Sequence, residues 1–212
     1  MSKLKLWAGL VLAVLVVGGG LYGWWALDLR WRPHTIKRHQ AEIAQLLKSS
    51  GWVSPGRQGP VLYMISYRSC EDCIRYEAFE FPKLAKAKVD TRVIMVARRD
   101  YNGLSKSTPA ERATVAELWV NRSWPLHEAW AKATPPTAWT APGIPSADDD
   151  MARAGVVELS RALVDKLTPL LKDNGIRFAY PTLIWWTKDG VMRGCACESP
   201  HAYARVRREL GA

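Results

Sequence analysis

Apolar and polar positions alternate in three different rhythms along this chain. Residues 4–27 are almost continuously apolar, about the length a helix needs to cross a bilayer. Lys3 and Lys5 precede the run, and Tyr22, Trp24 and Trp25 close it, where amphipathic rings favour the membrane interface. A cleaved signal peptide is the competing reading, with an apolar core from Leu6 to Val17 and a cut near Gly18-Gly19-Gly20. Continuation of the run through the Trp pair favours an uncleaved anchor over residues 1–28. Residues 29–60 read as a linker with a short amphipathic helix over 34–50, its Ile36, Ile43, Leu46 and Leu47 on one side and Gly51 as its stop.

From residue 61 the rhythm becomes that of an α/β domain. Val61 to Ser66 predicts a buried strand, residues 73–87 a helix kinked at Pro82, and residues 90–97 a second strand. Strand, helix, strand implies a parallel pair with a right-handed crossover. Residues 109–120, 125–131 and 156–173 have helical patterns, and 134–150 reads as an irregular Pro- and Gly-containing loop. Residues 100–175 therefore form a mostly helical insertion between two halves of a sheet. Residues 182–187 and 191–194 make a hairpin about Lys188-Asp189-Gly190, and residues 200–210 a closing helix.

Composition changes this picture little. The 212 residues carry a net charge of +10, but Lys and Arg are spread along the chain without an aromatic-basic stripe. A solvated basic surface is expected, and no nucleic-acid partner. Four of the 11 Trp (Trp119, Trp124, Trp130, Trp139) fall in the insertion, which suggests a large local core or a contact surface.

Candidate chemistry lies in the four cysteines, which form two tight pairs: Cys70-Glu71-Asp72-Cys73 and Cys195-Ala196-Cys197. The first pair sits at a strand-to-helix turn. There the helix N-terminus favours a thiolate, the form that attacks disulfides. Half of a zinc site is the alternative, with the second pair as the other half. A redox relay, a four-thiolate Cu(I) or Zn²⁺ site, and a local disulfide are all open. Asp148-Asp149-Asp150 reads as helix N-terminal charge or, less simply, a Ca²⁺ loop, and the four histidines are scattered.

These residues together resemble the thioredoxin-like superfamily. The match rests on Cys70-Glu71-Asp72-Cys73 at a helix start, the strand around Val93, Tyr180-Pro181 ahead of a hairpin, and the last helix. The helical insertion is similar to that of Dsb-type thiol:disulfide interchange proteins, nearest to the DsbC/DsbG catalytic domain. The resemblance implies an exposed attacking Cys70, a buried resolving Cys73, a cis Pro181 that presents backbone to a peptide with Tyr180 beside it, and no cofactor or metal. In a thioredoxin-like sheet the strand after Pro181 runs away from the active site and the next returns, so the resemblance also places Cys195 and Cys197 on the rim of Cys70. It implies protein thiols and disulfides of the cell envelope as substrates, with a membrane or periplasmic redox partner. The expected location is the inner membrane, single-pass, with the catalytic domain in the periplasm. Arg30, Arg32, Lys37 and Arg38 oppose that orientation under the positive-inside rule, whereas paired cysteines suit an oxidising space. The chain departs from the family in its acidic Glu71-Asp72, which disfavours a thiolate unless Arg68 and Arg75 offset it, and in lacking an evident dimerisation domain. The rivals are a metal-binding protein and a non-catalytic envelope assembly protein on the same fold.

Overall fold

The N-terminal helix α1 (Lys3–Leu27) has no acidic residue in its first turn and none of either sign in its last. At 1.5 Å per residue it is about 37 Å long. The computed structural model describes residues 3–134 and 141–212, in two compact units that meet in sequence between Arg32 and Pro33. In the first unit Val14, Leu15, Val16 and Val17 are exposed, and the helix is long and apolar enough to cross a membrane. Arg30 lies over the rings of Trp25 and Trp31 just beyond its end, 5.7 and 5.0 Å from their centroids.

The second unit is built on five strands. They are β1 (His34–Thr35), β2 (Val61–Ser66), β3 (Asp90–Met95), β4 (Thr182–Trp186) and β5 (Met192–Ala196), in the order β1-β5-β4-β2-β3. Only β2 and β3 run parallel, and the other neighbours are antiparallel. The helices are α2 (Gln40–Ser49), α3 (Glu71–Lys86), α4 (Pro109–Asn121), α5 (Trp124–Lys132), α6 (Met151–Lys172) and α7 (Pro200–Leu210).

β2 is an apolar run because both of its faces are covered. On one face Tyr63, Ile65, Ile94 and Ile184 pack with Ile43 and Leu47 of α2 and with Leu163, Leu167 and Leu171 of α6. On the other lie α3 and α7, joined by Tyr76 edge-on to Tyr203 at 4.8 Å and by the ion pair of Glu80 with Arg207. Burial of that carboxylate is tolerated because Lys83 pairs with it too.

The amphipathic helix of the linker is shorter than its pattern, Gln40–Ser49, and belongs to the core: Ile43 and Leu47 are fully buried, as is Ile36 ahead of the helix. Residues 34–35, expected to begin that helix, instead pair with β5 as an edge strand. The compact unit thus starts at Pro33, not at residue 61. The return strand also runs further than 191–194, because the ladder to β4 continues through Cys195 and Ala196. Helix α3 passes through Pro82 without ending.

The insertion is helical as expected, and its helices begin where side chains cap them. Thr108 and Glu111 form a capping box for α4, Ser123 caps α5, and Asp150 caps α6 by accepting from the N–H groups of Ala152 and Arg153. Asp148 pairs with Arg112, so the acidic triplet serves helix capping and ion pairing. Trp130 is buried in a second cluster with Val93, Met95, Val115 and Leu118, and Trp119 donates to the carbonyl of Met95 at 2.7 Å. Trp139 lies outside the described residues.

Candidate active site

Cys70 lies in the short turn after β2 and is the N-cap of α3, with φ −79° and ψ 106°. Its Sγ accepts the N–H of Cys73 at 3.1 Å, and the two cysteines form a disulfide. The Cys73 N–H and the helix dipole are thus directed at the Cys70 sulfur, where they favour a negative charge once the disulfide is opened. Cys70 is 3% and Cys73 1% exposed, so in this oxidised state Cys70 is far less open than the family pattern implies. What it does expose faces a groove of about 500 Å³ lined by Tyr67, Glu71, Asp72, Arg177, Tyr180 and Glu198.

The acidic dipeptide is only half neutralised. Arg75 pairs with Asp72 and also donates to the Glu198 carbonyl at 2.9 Å, while Glu71 is exposed. Arg68 does not take part. Its guanidinium turns inward to the carbonyls of Trp130, Ala131 and Ala133, at 2.9, 3.1 and 3.0 Å, and closes the C-terminal end of α5. A cation absent from the sequence-based site, Arg98, lies 4.2 Å from the Tyr67 ring centroid and reaches Ser69 Oγ at 3.4 Å, next to Cys70.

Beside this pair stands the Tyr180–Pro181 peptide, which is cis. Thr182, fully buried, clamps the turn by donating through Oγ1 to the Ala179 carbonyl and accepting the Ala179 N–H. Tyr180 packs edge-on against Tyr67 at 4.8 Å and Phe178 at 5.2 Å, and burial pushes its phenol pKa up. Register carries the rim across the sheet: Ile65 of β2 faces Thr182 of β4, which faces Ala196 of β5. The N–H of Cys197 donates to the Pro181 carbonyl at 2.9 Å, and Cys195 and Cys197 form a second disulfide. Both pairs therefore stand on one edge of the sheet. Among the described residues no group of three or more His, Cys, Asp or Glu is placed to hold a metal ion.

Cys73 faces a different space, a cavity of about 430 Å³ between α3 and α5 lined by Phe81, Trp124, Trp130, Glu77 and His127 among others. Glu77 lies one helical turn beyond Cys73, on the same side of α3. Its side chain is 16% exposed and its Oε2 is 3.9 Å from His127 Nε2. Burial pushes the Glu77 carboxyl up to about 7, with Arg68 working against it. Burial, with Arg68 adding to it, pushes His127 down to about 4. Neither residue is marked by sequence, because they lie in different elements and meet only through the insertion. A carboxylate four residues after Cys73 was the sole local signal.

These shifts have opposite consequences for stability. Native Glu77 keeps its proton above the unfolded value of 4.5, so its stabilising contribution is full at low pH and is lost as pH rises toward 7. Native His127 resists protonation below the unfolded value of 6.5, so stability is lost as pH falls toward 4. In wild type the two slopes oppose each other over the shared range. Glu77→Gln removes the loss at high pH and raises stability at pH 8 relative to pH 5 by on the order of 3 kcal/mol compared with wild type. Urea unfolding at the two pH values measures this, and a variant profile parallel to wild type would refute the assignment.

Comparison with known proteins supports the architecture. No family model matches the sequence, and no curated protein matches it. Among solved structures, BcfH of Salmonella enterica Typhimurium superposes with a TM-score of 0.56 over 98% of this chain and 91% of its own, at 13% identity. A periplasmic thioredoxin-like protein from Salmonella enterica serovar Typhimurium gives 0.50 over 83% of this chain and 100% of its own, at 14% identity. At such identities the likeness speaks for fold alone. The β2–α3–β3 crossover, the β4–β5 hairpin, the closing helix α7 and these superpositions agree: the chain has a thioredoxin-like fold, with a helical insertion between the halves of its sheet.

Proposed function

We propose that the protein is a thiol:disulfide oxidoreductase of the cell envelope, held to the inner membrane by α1 with its folded domain in the periplasm. The observation that carries this reading is the Cys70–Cys73 disulfide at the N-terminus of α3, beside the cis Tyr180–Pro181 peptide and open to a groove on the Cys70 side. The reduced pair works by attack of the Cys70 thiolate on a substrate disulfide. One substrate sulfur leaves as a thiolate and a mixed disulfide forms. Cys73 gives up its proton and attacks the Cys70 sulfur, releasing the second substrate thiol and restoring the Cys70–Cys73 disulfide. Read backwards, the same steps oxidise a substrate dithiol. Glu77, in the cavity that Cys73 faces and titrating near neutrality, supplies an acceptor for the Cys73 proton.

The two electrons stay on sulfur throughout, so the chemistry requires no organic cofactor. The Pro181 turn, with Tyr180, holds the substrate chain by backbone contact. The exposed Glu71 works against the thiolate and makes the pair more reducing than that of a strong oxidant such as DsbA. The location is supported by the length and apolar character of α1 and by the periplasmic description of one structural neighbour. Envelope proteins with thiols or disulfides are the substrates, and a membrane or periplasmic redox protein recharges the pair.

The test is turnover by the full chain in detergent, assayed both as insulin reduction by dithiothreitol and as oxidation of a reduced unfolded protein. Rates at least about tenfold above the uncatalysed exchange are expected in one direction or the other. Background rates in both would sink the reading.

A further inference from the structure

The Cys195–Cys197 disulfide has no role in the steps above. Taken as a structural staple it is poorly placed. Stabilisation by a disulfide grows with the length of loop it closes, and this one closes a single residue. Its strand is already held, since Cys195 is in ladder register with Leu183 and the Cys197 N–H is bound to Pro181.

Its surroundings point elsewhere. Residues at i and i+2 of a strand share a face, so Cys195 and Arg193 look the same way, as do their partners Leu183 and Trp185. Arg193 and Trp185 both reach Glu209 of α7, which places that face under α7 and its neighbour α3. The opposite face at Gly194 looks toward Ile36 and Ile176. The second disulfide thus lies on the sheet face that α3 covers, at the rim where α3 begins. Cys70 caps α3, and Cys197 stands two residues before Ser199, the cap of α7. Arg75 ties the two helix starts together by holding Asp72 and the Glu198 carbonyl at once. Cys197 is fully buried and Cys195, at 5%, is as closed as Cys70 at 3%, so exposure does not separate the pairs; what does is the groove, which Cys70 lines and the second pair does not. The reachable couple on that rim is Cys70–Cys73.

We infer that Cys195 and Cys197 are a second dithiol/disulfide couple that exchanges electrons with Cys70–Cys73 inside the chain. The inference rests on the reading of Cys70–Cys73 as an exchange couple. A thiolate of the reduced second pair attacks a sulfur of the Cys70–Cys73 disulfide, and a cross-pair disulfide forms as the other sulfur of that pair leaves and takes a proton. The remaining thiol of the second pair then loses its proton and attacks its partner, expelling the second thiolate of the first pair, which is protonated. Two electrons and two protons pass from one pair to the other, and no outside reagent is consumed. The chain then stores four electrons rather than two.

The experiment uses the wild-type full chain in detergent. One sample is fully reduced and given one equivalent of diamide. Another is fully oxidised and given one equivalent of a water-soluble phosphine. Both are quenched in acid over time, alkylated and digested, and the remaining disulfide is located by peptide mass. Because the reagents meet the Cys70–Cys73 pair first, the two samples start from opposite distributions. They are expected to converge on one ratio of the two disulfides, at a rate independent of protein concentration. Distributions that stay apart, or converge only in proportion to protein concentration, would overturn the inference. Insulin reduction by the chain carrying Cys195→Ala and Cys197→Ala separates the two levels: activity retained there alongside failed convergence removes the relay and leaves the function of Cys70–Cys73 standing.

Discussion

Cys70→Ser is expected to lower whichever exchange the wild-type chain catalyses to the uncatalysed background, a loss of at least about tenfold, because a serine hydroxyl at neutral pH is neither ionised nor a useful sulfur nucleophile. The size of the loss follows from placement as well as element. Cys70 caps α3 and accepts the Cys73 N–H at 3.1 Å, so the helix start is aimed at its sulfur. A hydroxyl in the same place still caps the helix, and Ser is a favoured N-cap. The variant is therefore expected to unfold at close to the wild-type temperature while losing activity, which separates chemistry from folding. Cys73→Ser differs in kind: the attack on substrate survives but the mixed disulfide is not resolved, so single events occur without turnover. Stopped assays with near-stoichiometric enzyme distinguish the two. Equal and small losses in both variants would contradict the assignment of roles.

Arg68→Ala carries the largest expected effect on stability. The side chain is 7% exposed and its guanidinium donates to three carbonyls at the end of α5. Removing it leaves those carbonyls without a charged donor, next to the partly buried Glu77 and the buried His127. Loss of a buried charged partner costs about 3–5 kcal/mol, which for a domain of this size lowers the melting temperature by roughly 10 °C. Arg68→Lys rescues little, since one ammonium group cannot span the carbonyls that a planar fork reaches. Thermal unfolding of both variants reads this directly, and a fall of less than about 1 kcal/mol in Arg68→Ala would show that water replaces the guanidinium without penalty.

Much of the fold was legible because it is written in local signals. The apolar run of β2, the helix-starting Cys70, the Lys188-Asp189-Gly190 turn and the spacing of leucines in α6 each specify an element without reference to distant residues. The rim position of Cys195 and Cys197 follows from the direction of two strands. What could not be read locally depends on contacts between remote segments. Ile36, Ile43 and Leu47 look the same in a free amphipathic segment as in one packed on α6, so the pattern alone reads residues 29–60 as a linker. Arg68 stands two residues before Cys70 and invites an electrostatic role there, but its side chain follows the vacant carbonyls of α5, some sixty residues on. Glu77 and His127 share a cavity only because the insertion folds α5 back onto α3. Arg98 reaches Ser69 from the far end of β3 in the same way.

The central claim is that Cys70 forms transient mixed disulfides with proteins and Cys73 resolves them. It is tested most directly by expressing the full chain with Cys73→Ala, quenching cells in acid, and isolating species linked to the chain. The account predicts envelope proteins joined through Cys70, released by dithiothreitol and absent when Cys70→Ser is added. Finding no thiol-sensitive adducts in Cys73→Ala, or the same adducts when Cys70 is replaced, would contradict it.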